Sequence, residues 1–330
     1  MEFRKLGRTG VKVSPICLGT MNFPYRTPEE EAVKIIHQAI EAGINFIDTA
    51  DFYGQPLNQG TGQGKTERLL GKAIKDQRQR LVIATKFFAP VDRTDPNARG
   101  GSRRHIIRAC EDSLRRLDTD YIDLYQMHRP DPEVPIDETL RALEDLIRAG
   151  KVRYIGTSSF AGWQLVEALW TSDRLNLNRF VTEQPRYSLL DRRIEAEVVP
   201  VAEKYEIGIL PYSPLGGGLL TGKYAEEAAP PEGSRMVDDA WGQWAAGFTS
   251  DRVYRLIEVL TALAAEKGCT VSQLALAWVM SQPAVVSPII GPRTFTQLED
   301  NLGALDITFT EEDSEQLDKA SVPGKALFGE

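Results

Sequence analysis

Residues 45–54 read "NFIDTADFYG", and this stretch decides how the rest of the chain is interpreted. Phe46 and Ile47 belong in an apolar core, yet Asp48 follows at once and Tyr53 comes one short turn later. A buried strand that ends on a carboxylate is expected where the carboxyl ends of parallel strands build a site. The stretch therefore predicts a strand at 45–50 whose end belongs to a functional site.

Similar apolar runs recur along the chain and alternate with amphipathic, helix-length segments. The other predicted strands are 16–20, 81–86, 121–128, 152–158, 179–185, 208–214 and 285–291, and the clearest helical patterns are 27–43, 102–117, 136–150 and 294–305. Such alternation is typical of a parallel sheet. Eight units without a separating linker predict an α/β fold, a (β/α)8 TIM barrel forming a single domain over residues 1–330.

Three local features complete the predicted architecture. An N-terminal β-hairpin is expected at 3–14 with Gly10 in its turn, and a long loop at 223–250 follows the seventh strand. The first helix is predicted to have Thr27 as N-cap, Pro28 at its first position and Gly43 past its end. A doubly wound sheet is the alternative, but its GxGxxG signature is missing after the first strand, which runs into "GTMNFP".

One glycine-rich stretch imitates a phosphate-binding loop. "GTGQGKT" at 60–66 resembles GxxxxGK[ST], but Gln59 stands where that motif requires its first glycine, and no apolar strand leads into it. We interpret it as an insertion before the helix "KTERLLGKAI".

Composition excludes several classes of protein. The net charge is −8 and the pI about 5.2, which disfavours nucleic acid as a partner. No run approaches the roughly 20 apolar residues of a membrane span. The three cysteines are scattered, which argues against a disulfide framework or a zinc site, and we expect no metal and a cytoplasmic location.

Polar side chains fall at the carboxyl ends of most of the predicted strands. Besides Asp48, the candidates are Lys86, His128, Ser158, Gln184, Tyr212 and Ser213. Because strand ends converge at one mouth of a barrel, we expect these residues to lie together.

Four of these side chains suggest acid–base chemistry. A tyrosine pKa of about 10 is high for a proton donor near neutral pH, and a neighbouring ammonium lowers it. Lys86 could supply that ammonium to Tyr53 while Asp48 holds Lys86 in place, and His128 could hydrogen-bond a substrate carbonyl or tune the phenol.

The combination of these segments resembles the aldo-keto reductase family over nearly the whole chain. "GINFIDTADFYG", "VIATKF" and "DLYQMHRPD" are similar to the segments that carry the family's catalytic tetrad, which implies Asp48, Tyr53, Lys86 and His128. "TGKY" resembles the branch that includes potassium-channel beta subunits and bacterial reductases.

The resemblance also implies a nicotinamide cofactor, NADPH rather than NADH. "GTSSF", "PYSPLGGGLLTGKY" and "GPRTFTQLEDN" are similar to family segments for the carboxamide, the pyrophosphate and the 2′-phosphate. The implied cofactor residues are Gly19, Thr20, Met21, Asp48, Ser158, Ser159, Gln184, Tyr212, Ser213, Pro214, Leu215, Gly217, Lys223, Arg235, Gly291, Arg293, Gln297 and Asn301.

The implied reaction is reduction of an aldehyde or ketone by hydride transfer, with aromatic aldehydes, keto-sugars and small dicarbonyls as substrate candidates. Residues next to strand ends or in the long loop are expected around the substrate: Phe23, Phe52, Phe87, Phe88, Arg129, Tyr187 and Trp241. Two alternatives remain: an NADPH-binding redox-sensing regulatory subunit with slow turnover, and a barrel aldolase or isomerase in which Lys86 forms a Schiff base.

Overall fold

The computed structural model describes residues 1–55, 63–90, 94–224, 237 and 250–327. Two short antiparallel strands, β1 (Arg4–Lys5) and β2 (Lys12–Val13), form the predicted hairpin. Gly10 lies in the connection, but Gly7 is the residue with positive φ, +55°. A Cβ at Gly7 would lie 2.3 Å from the carbonyl oxygen of Val181, so the hairpin packs against the start of a later strand.

Eight parallel strands form the sheet, each paired with its neighbours in chain order. They are β3 (Cys17–Gly19), β4 (Phe46–Asp48), β5 (Val82–Phe87), β6 (Ile122–Met127), β7 (Val152–Ser158), β8 (Thr182–Gln184), β9 (Gly208–Ile209) and β10 (Ile289–Ile290). β10 pairs with β3, and two bridges, from Ile209 of β9 to Val285 and from Tyr212 to Ile289 of β10, join the segments of the last two strands. The sheet therefore closes on itself as a (β/α)8 barrel.

The helices connect these strands on the outside of the barrel. They are α1 (Glu29–Glu41), α2 (Lys65–Ile74), α3 (Arg103–Leu117), α4 (Ile136–Arg148), α5 (Gly162–Leu175), α6 (Val198–Tyr205), α7 (Asp251–Lys267), α8 (Val271–Ser281), α9 (Phe295–Leu302) and α10 (Glu311–Ala320). Short 3-10 helices occupy Arg78–Arg80, Arg193–Ala196, Gly216–Thr221 and Gly303–Asp306. No described helix is long and apolar enough to cross a membrane.

Several predicted boundaries are corrected. The strands at 16–20, 179–185, 208–214 and 285–291 are shorter in the structure, because only part of each apolar run pairs with its neighbours. Pro28 rather than Thr27 is the N-cap of α1, since the Thr27 hydroxyl instead donates to the Arg293 carbonyl at 3.4 Å. Gly43 does follow the helix with φ +96°. Of the long loop, 225–236 and 238–249 lie outside the described residues, as do 56–62, which include the first three residues of the glycine-rich stretch.

Side chains alternate between the two faces of each strand, so one apolar cluster lies inside the barrel and another lies between the strands and the helices. Phe46, Ala84 and Leu124 belong to a small cluster that also contains Leu6 and Val13 of the hairpin. This cluster fills the barrel interior at the hairpin end. The neighbouring strand positions face the helices in a second, larger cluster, which leaves the opposite end of the interior for polar side chains.

Candidate active site

A layer of polar side chains crosses the barrel interior at the carboxyl ends of the strands. Asp48, Lys86, Gln126 and Gln184 come from β4, β5, β6 and β8 and are all buried. Phe46 and Ala84, two positions earlier, lie in the apolar interior, so the same strand faces change from apolar to polar toward the mouth.

Lys86 is the centre of this layer. Its ammonium group forms an ion pair with Asp48 Oδ1 and donates to the Thr49 carbonyl oxygen at 2.9 Å and to Tyr53 Oη at 3.4 Å. The lysine side chain is fully buried, so all three acceptors replace lost water. The predicted chain from Asp48 through Lys86 to Tyr53 is thus present in the structure.

The second carboxylate oxygen of Asp48 is held by two amides. Gln184 Nε2 donates to Oδ2 at 2.9 Å and Gln126 Nε2 at 3.2 Å. Gly156 leaves room for the Gln126 side chain, because a Cβ there would lie 3.3 Å from Gln126 Cγ and 2.2 Å from Thr182 Oγ1. The carboxylate orientation is therefore fixed on both sides.

Tyr53 lies in an aromatic group at the mouth. Its ring centroid is 5.0 Å from that of Phe52 and 6.0 Å from that of His128, both in edge-to-face arrangements. The Phe52 ring is 5.2 Å from His128. His128 Nδ1 is buried and has no hydrogen-bond partner among the described residues. Such a nitrogen is suited to form a hydrogen bond with a bound ligand.

The pKa of Tyr53 is raised in the structure, whereas the sequence predicted that Lys86 would lower it. Burial raises the phenol pKa more than Lys86 lowers it, so Tyr53 keeps its proton at neutral pH. For Lys86, burial acts to lower the pKa, but Asp48 and Tyr53 outweigh it and the pKa is raised. Burial, Lys86 and Arg129 all hold the pKa of His128 well below its usual range, so its imidazole is neutral at pH 7.

The predicted cofactor residues after the first and last strands are neighbours in space. Thr20 follows Gly19 at the end of β3, and its hydroxyl donates to the Asp48 carbonyl at 2.9 Å. Asn22 Nδ2 donates to the Gly291 carbonyl at 2.8 Å. Met21 lies between them, half-buried.

The residues predicted for the carboxamide lie at the end of β7. Ser158 Oγ donates to the Gln184 carbonyl at 2.9 Å, and Ser159 has a left-handed backbone with φ +61°. Ser159 Oγ accepts from Arg129 Nη1 at 2.8 Å. These side chains border the same mouth as Tyr53 and His128.

After β9 the chain makes tight turns. Ser213, Gly216, Gly217 and Gly218 have φ of +54°, +56°, +70° and +104°, and within these turns the Gly216 N–H donates to the Ser213 carbonyl and the Gly218 N–H to the Leu215 carbonyl, both at 2.9 Å. Pro214 is buried, and Leu215, Gly217 and Tyr212 are half-buried. The Lys223 ammonium group lies against this turn, since a Cβ added at Gly218 would be only 3.3 Å from Lys223 Nζ. The Lys223 ammonium group beside these glycine turns fits the negative charge of a phosphorylated cofactor.

The predicted 2′-phosphate segment begins α9. The Gln297 side chain accepts from the Arg293 backbone N–H at 2.9 Å, and Thr294 caps the helix by accepting from the Gln297 N–H. Asn301, one turn later, is buried. Arg235 and Trp241 lie outside the described residues.

The predicted substrate surface needs correction at three positions. Phe87 is adjacent to Lys86 on β5 and therefore points the opposite way, where its ring packs 4.8 Å from Tyr125. Tyr187 packs 5.4 Å from Trp278, and Phe23 is fully buried in the layer under the helices. The structure brings Phe52 and Arg129 to the mouth, and Phe88 is half-buried against the outer core.

Sequence reasoning missed Gln126 and Asn22. Gln126 is a polar residue within an apolar strand, two positions before His128, and that spacing placed it on the inner face. Asn22 gave no comparable signal, because its partner Gly291 is distant in sequence.

Glu183 on β8 supports the backbone of the carboxamide segment. Its carboxyl group accepts from Thr157 Oγ1 at 2.5 Å and from the Phe160 N–H at 3.1 Å. Burial raises its pKa to about 8, against 4.5 in an unfolded chain. The folded protein therefore keeps a proton that the unfolded chain loses, and the stabilisation from this group falls as pH rises from about 4.5 to 8.

We expect Glu183→Gln to remove this pH dependence. Between pH 5 and pH 7 the free energy of unfolding of the wild type should fall relative to the variant by about 2 to 3 kcal/mol, because each pH unit contributes about 1.4 kcal/mol. Denaturant unfolding of both proteins at the two pH values checks this. Curves that stay parallel would show that Glu183 is already ionised in the folded state.

Comparison with known proteins agrees with this geometry. The protein is a (β/α)8 barrel with a cluster of buried polar side chains at the strand ends. The family model described as "Aldo/keto reductase family" matches residues 15–322. An uncharacterized oxidoreductase, YrpG, of Bacillus subtilis is 41% identical over 94% of this chain and 93% of its own length. A probable voltage-gated potassium channel subunit beta of Arabidopsis thaliana is 37% identical over 93% of this chain and 92% of its own. Protein tas of Escherichia coli is 34% identical over 94% and 95%.

The chain therefore belongs to the aldo/keto reductase family. It is an oxidoreductase of a family that uses nicotinamide cofactors. The described residues contain no group of three or more His, Cys, Asp or Glu side chains that could hold a metal ion.

Proposed function

We propose that this protein catalyses the NADPH-dependent reduction of aldehydes and ketones to alcohols, with Tyr53 as the proton donor. The observation that carries the proposal is the buried Lys86 ammonium group, which contacts both Asp48 and Tyr53 Oη. The nicotinamide supplies the hydride when it is bound.

Each of the four side chains has a distinct part in the proposal. Tyr53 donates its proton to the oxygen of the substrate carbonyl, and its raised pKa keeps that proton available at neutral pH. Lys86 lies beside the phenol oxygen and stabilises the phenolate that forms. Asp48 holds Lys86, and neutral His128 hydrogen-bonds the substrate carbonyl.

The proposed cofactor site follows the rim of the barrel. Its described members are Gly19, Thr20, Met21, Asp48, Ser158, Ser159, Gln184, Tyr212, Ser213, Pro214, Leu215, Gly217, Lys223, Gly291, Arg293, Gln297 and Asn301. Lys223 beside the glycine turns after β9 supports a pyrophosphate site, and Arg293 before α9 supports a 2′-phosphate site. The proposed partner is a small carbonyl compound, such as an aromatic aldehyde or a keto-sugar, held against Phe52.

The proposal is tested by titrating the purified protein with NADPH and NADH while protein fluorescence is followed. Nicotinamide absorbance is then measured after addition of 4-nitrobenzaldehyde. Tight NADPH binding followed by oxidation is the expected result. Binding without oxidation of NADPH by any of a panel of carbonyl compounds contradicts the proposed catalysis.

Arg293 is expected to set the preference for NADPH. Arg293→Ala should raise the Kd of NADPH by about 10- to 100-fold, the usual effect of losing a charged hydrogen bond, with a much smaller change for NADH. The same titrations measure both constants. Arg104→Ala, at an exposed position on α3, is the control and should leave both Kd values unchanged. Equal losses for the two cofactors would place Arg293 outside the 2′-phosphate site.

A regulatory function is the second candidate, because one relative is named as a potassium channel subunit. Steady-state turnover distinguishes it from the reductase, since a sensor binds NADPH and turns over slowly. The Schiff-base alternative is weakened by the structure. Lys86 is an ion-paired ammonium with a raised pKa, whereas Schiff-base formation requires the neutral amine.

A further inference from the structure

Arg129 is a charged side chain at the mouth to which the proposed chemistry gives no role. Arg129 directly follows His128 at the end of β6, and its side chain is exposed while Lys86 is buried. Its guanidinium donates from Nη1 to Ser159 Oγ at 2.8 Å. Ser159 follows the end of β7, so the contact holds the guanidinium across the ends of two neighbouring strands.

The acidic groups around Arg129 are engaged elsewhere. Asp131, two residues later, accepts from the Gly101 N–H at 2.7 Å with one oxygen and from the Glu133 N–H at 3.0 Å with the other. Glu183 is fully buried and its carboxyl group accepts from Thr157 and Phe160. Among the residues that the structure describes, no carboxylate forms an ion pair with Arg129.

An exposed guanidinium with one hydrogen bond retains most of its donors. Arginine carries five N–H donors in a planar fork that matches the two oxygens of a carboxylate. The cation beside Tyr53, Lys86, is committed to Asp48. Arg129 is therefore positioned and available to bind an anionic ligand group beside His128.

The spacing suggests where that group lies on a substrate. The Arg129 guanidinium lies near enough to His128 to help lower the pKa of its imidazole, so a ligand that places its carbonyl at Tyr53 and His128 can extend an anionic group toward Arg129. The Phe52 ring, 5.2 Å from His128, supplies an apolar wall for the atoms between.

We propose that Arg129 is a specificity-determining residue that binds a substrate carboxylate, so that this enzyme prefers aldehydes and ketones that carry a carboxylate over neutral ones. The inference rests on the proposed reductase function. Ser159 has a positioning part in it, because its hydroxyl fixes the guanidinium.

The test compares two substrates that differ in charge at one end, 4-carboxybenzaldehyde and methyl 4-formylbenzoate. The ratio of their kcat/KM values, acid over ester, is measured at saturating NADPH for the wild type and for Arg129→Met and Arg129→Lys. We expect a ratio above one for the wild type and a fall of about 10- to 100-fold in Arg129→Met, mainly through the KM of the acid. Arg129→Lys should keep part of the preference, since it retains charge without the planar fork.

A control variant and the Kd of NADPH distinguish a substrate carboxylate site from a cofactor contact. Arg174→Met, at an exposed position on α5, should leave the ratio at the wild-type value. A Kd for NADPH that rises in Arg129→Met, with equal losses for both substrates, would assign Arg129 to the cofactor and overturn the proposal. A wild-type ratio at or below one would overturn it while the reductase function stands. Failure of the wild type to oxidise NADPH with either substrate would instead remove the proposed function and this inference with it.

Discussion

Tyr53→Phe is expected to lower kcat for carbonyl reduction by about 10²- to 10⁴-fold, the usual contribution of a general acid. The change removes the phenol oxygen that lies 3.4 Å from Lys86 Nζ and leaves the ring packed against Phe52 and His128. Asp48 still neutralises Lys86. Steady-state kinetics with NADPH and 4-nitrobenzaldehyde measure the loss, and fluorescence titration should show little change in NADPH binding.

Tyr125→Phe provides a matched control for this variant. Tyr125 is also buried, and its hydroxyl donates to the Ile106 carbonyl at 3.4 Å on the helix side of β6, away from the barrel interior. Its kcat should stay close to the wild-type value. Turnover of Tyr53→Phe equal to that of Tyr125→Phe would exclude Tyr53 as the proton donor.

The second large effect is expected on stability, from breaking the buried pair of Asp48 and Lys86. Asp48→Asn removes the negative charge beside a fully buried ammonium group, whose remaining acceptors, among them the Thr49 carbonyl and Tyr53 Oη, are all uncharged. Removing one partner of a buried ion pair costs about 3 to 5 kcal/mol, because the remaining charge is uncompensated. Lys86→Met should cost a similar amount, since the Asp48 carboxylate then retains only its contacts with uncharged groups, among them Gln126 and Gln184.

A double-variant cycle isolates the coupling between the two charges. The protein with both Asp48→Asn and Lys86→Met contains no uncompensated charge at this place, so it should be more stable than the sum of the two single losses predicts. Denaturant unfolding at pH 7 gives all four free energies. Strictly additive losses would show that the two side chains are not energetically coupled in the folded protein.

Much of the barrel was predictable because strand and helix periodicities alternate regularly along the chain. Position at a strand end was enough to bring Asp48, Lys86 and His128 together, since parallel strands end at one edge. Which face a side chain takes at that edge was harder to predict. Phe87 is next to Lys86 and was expected near the substrate, but the strand continues through it and turns it toward the helices.

Asp48 and Asp51 show a second limit of sequence reasoning. Both acids lie in the opening stretch, three residues apart, and both are buried. Asp48 meets Lys86, whereas neither carboxyl oxygen of Asp51 has a hydrogen-bond partner among the described residues. Burial and nearby Glu67 raise the pKa of Asp51 well above its usual range, so that it stays protonated. The difference in ionisation between Asp48 and Asp51 depends on which side chains from distant elements contact each carboxyl group, and the local sequence pattern does not predict those contacts.

Because the last strand closes the barrel, the nascent chain acquires its proposed catalytic residues long before the barrel can close. All four residues of the proposed catalytic set have been synthesised by residue 128, but β10, which pairs with β3 and bridges to Tyr212, begins at Ile289. Until then β3 is an unpaired edge, a surface that favours aggregation. A truncated chain that ends before β10 would contain all four acid–base residues. It would lack the Asn22–Gly291 hydrogen bond that joins the first and last strand ends of the rim. The four acid–base residues are therefore synthesised early, and the contact that completes the rim is formed last.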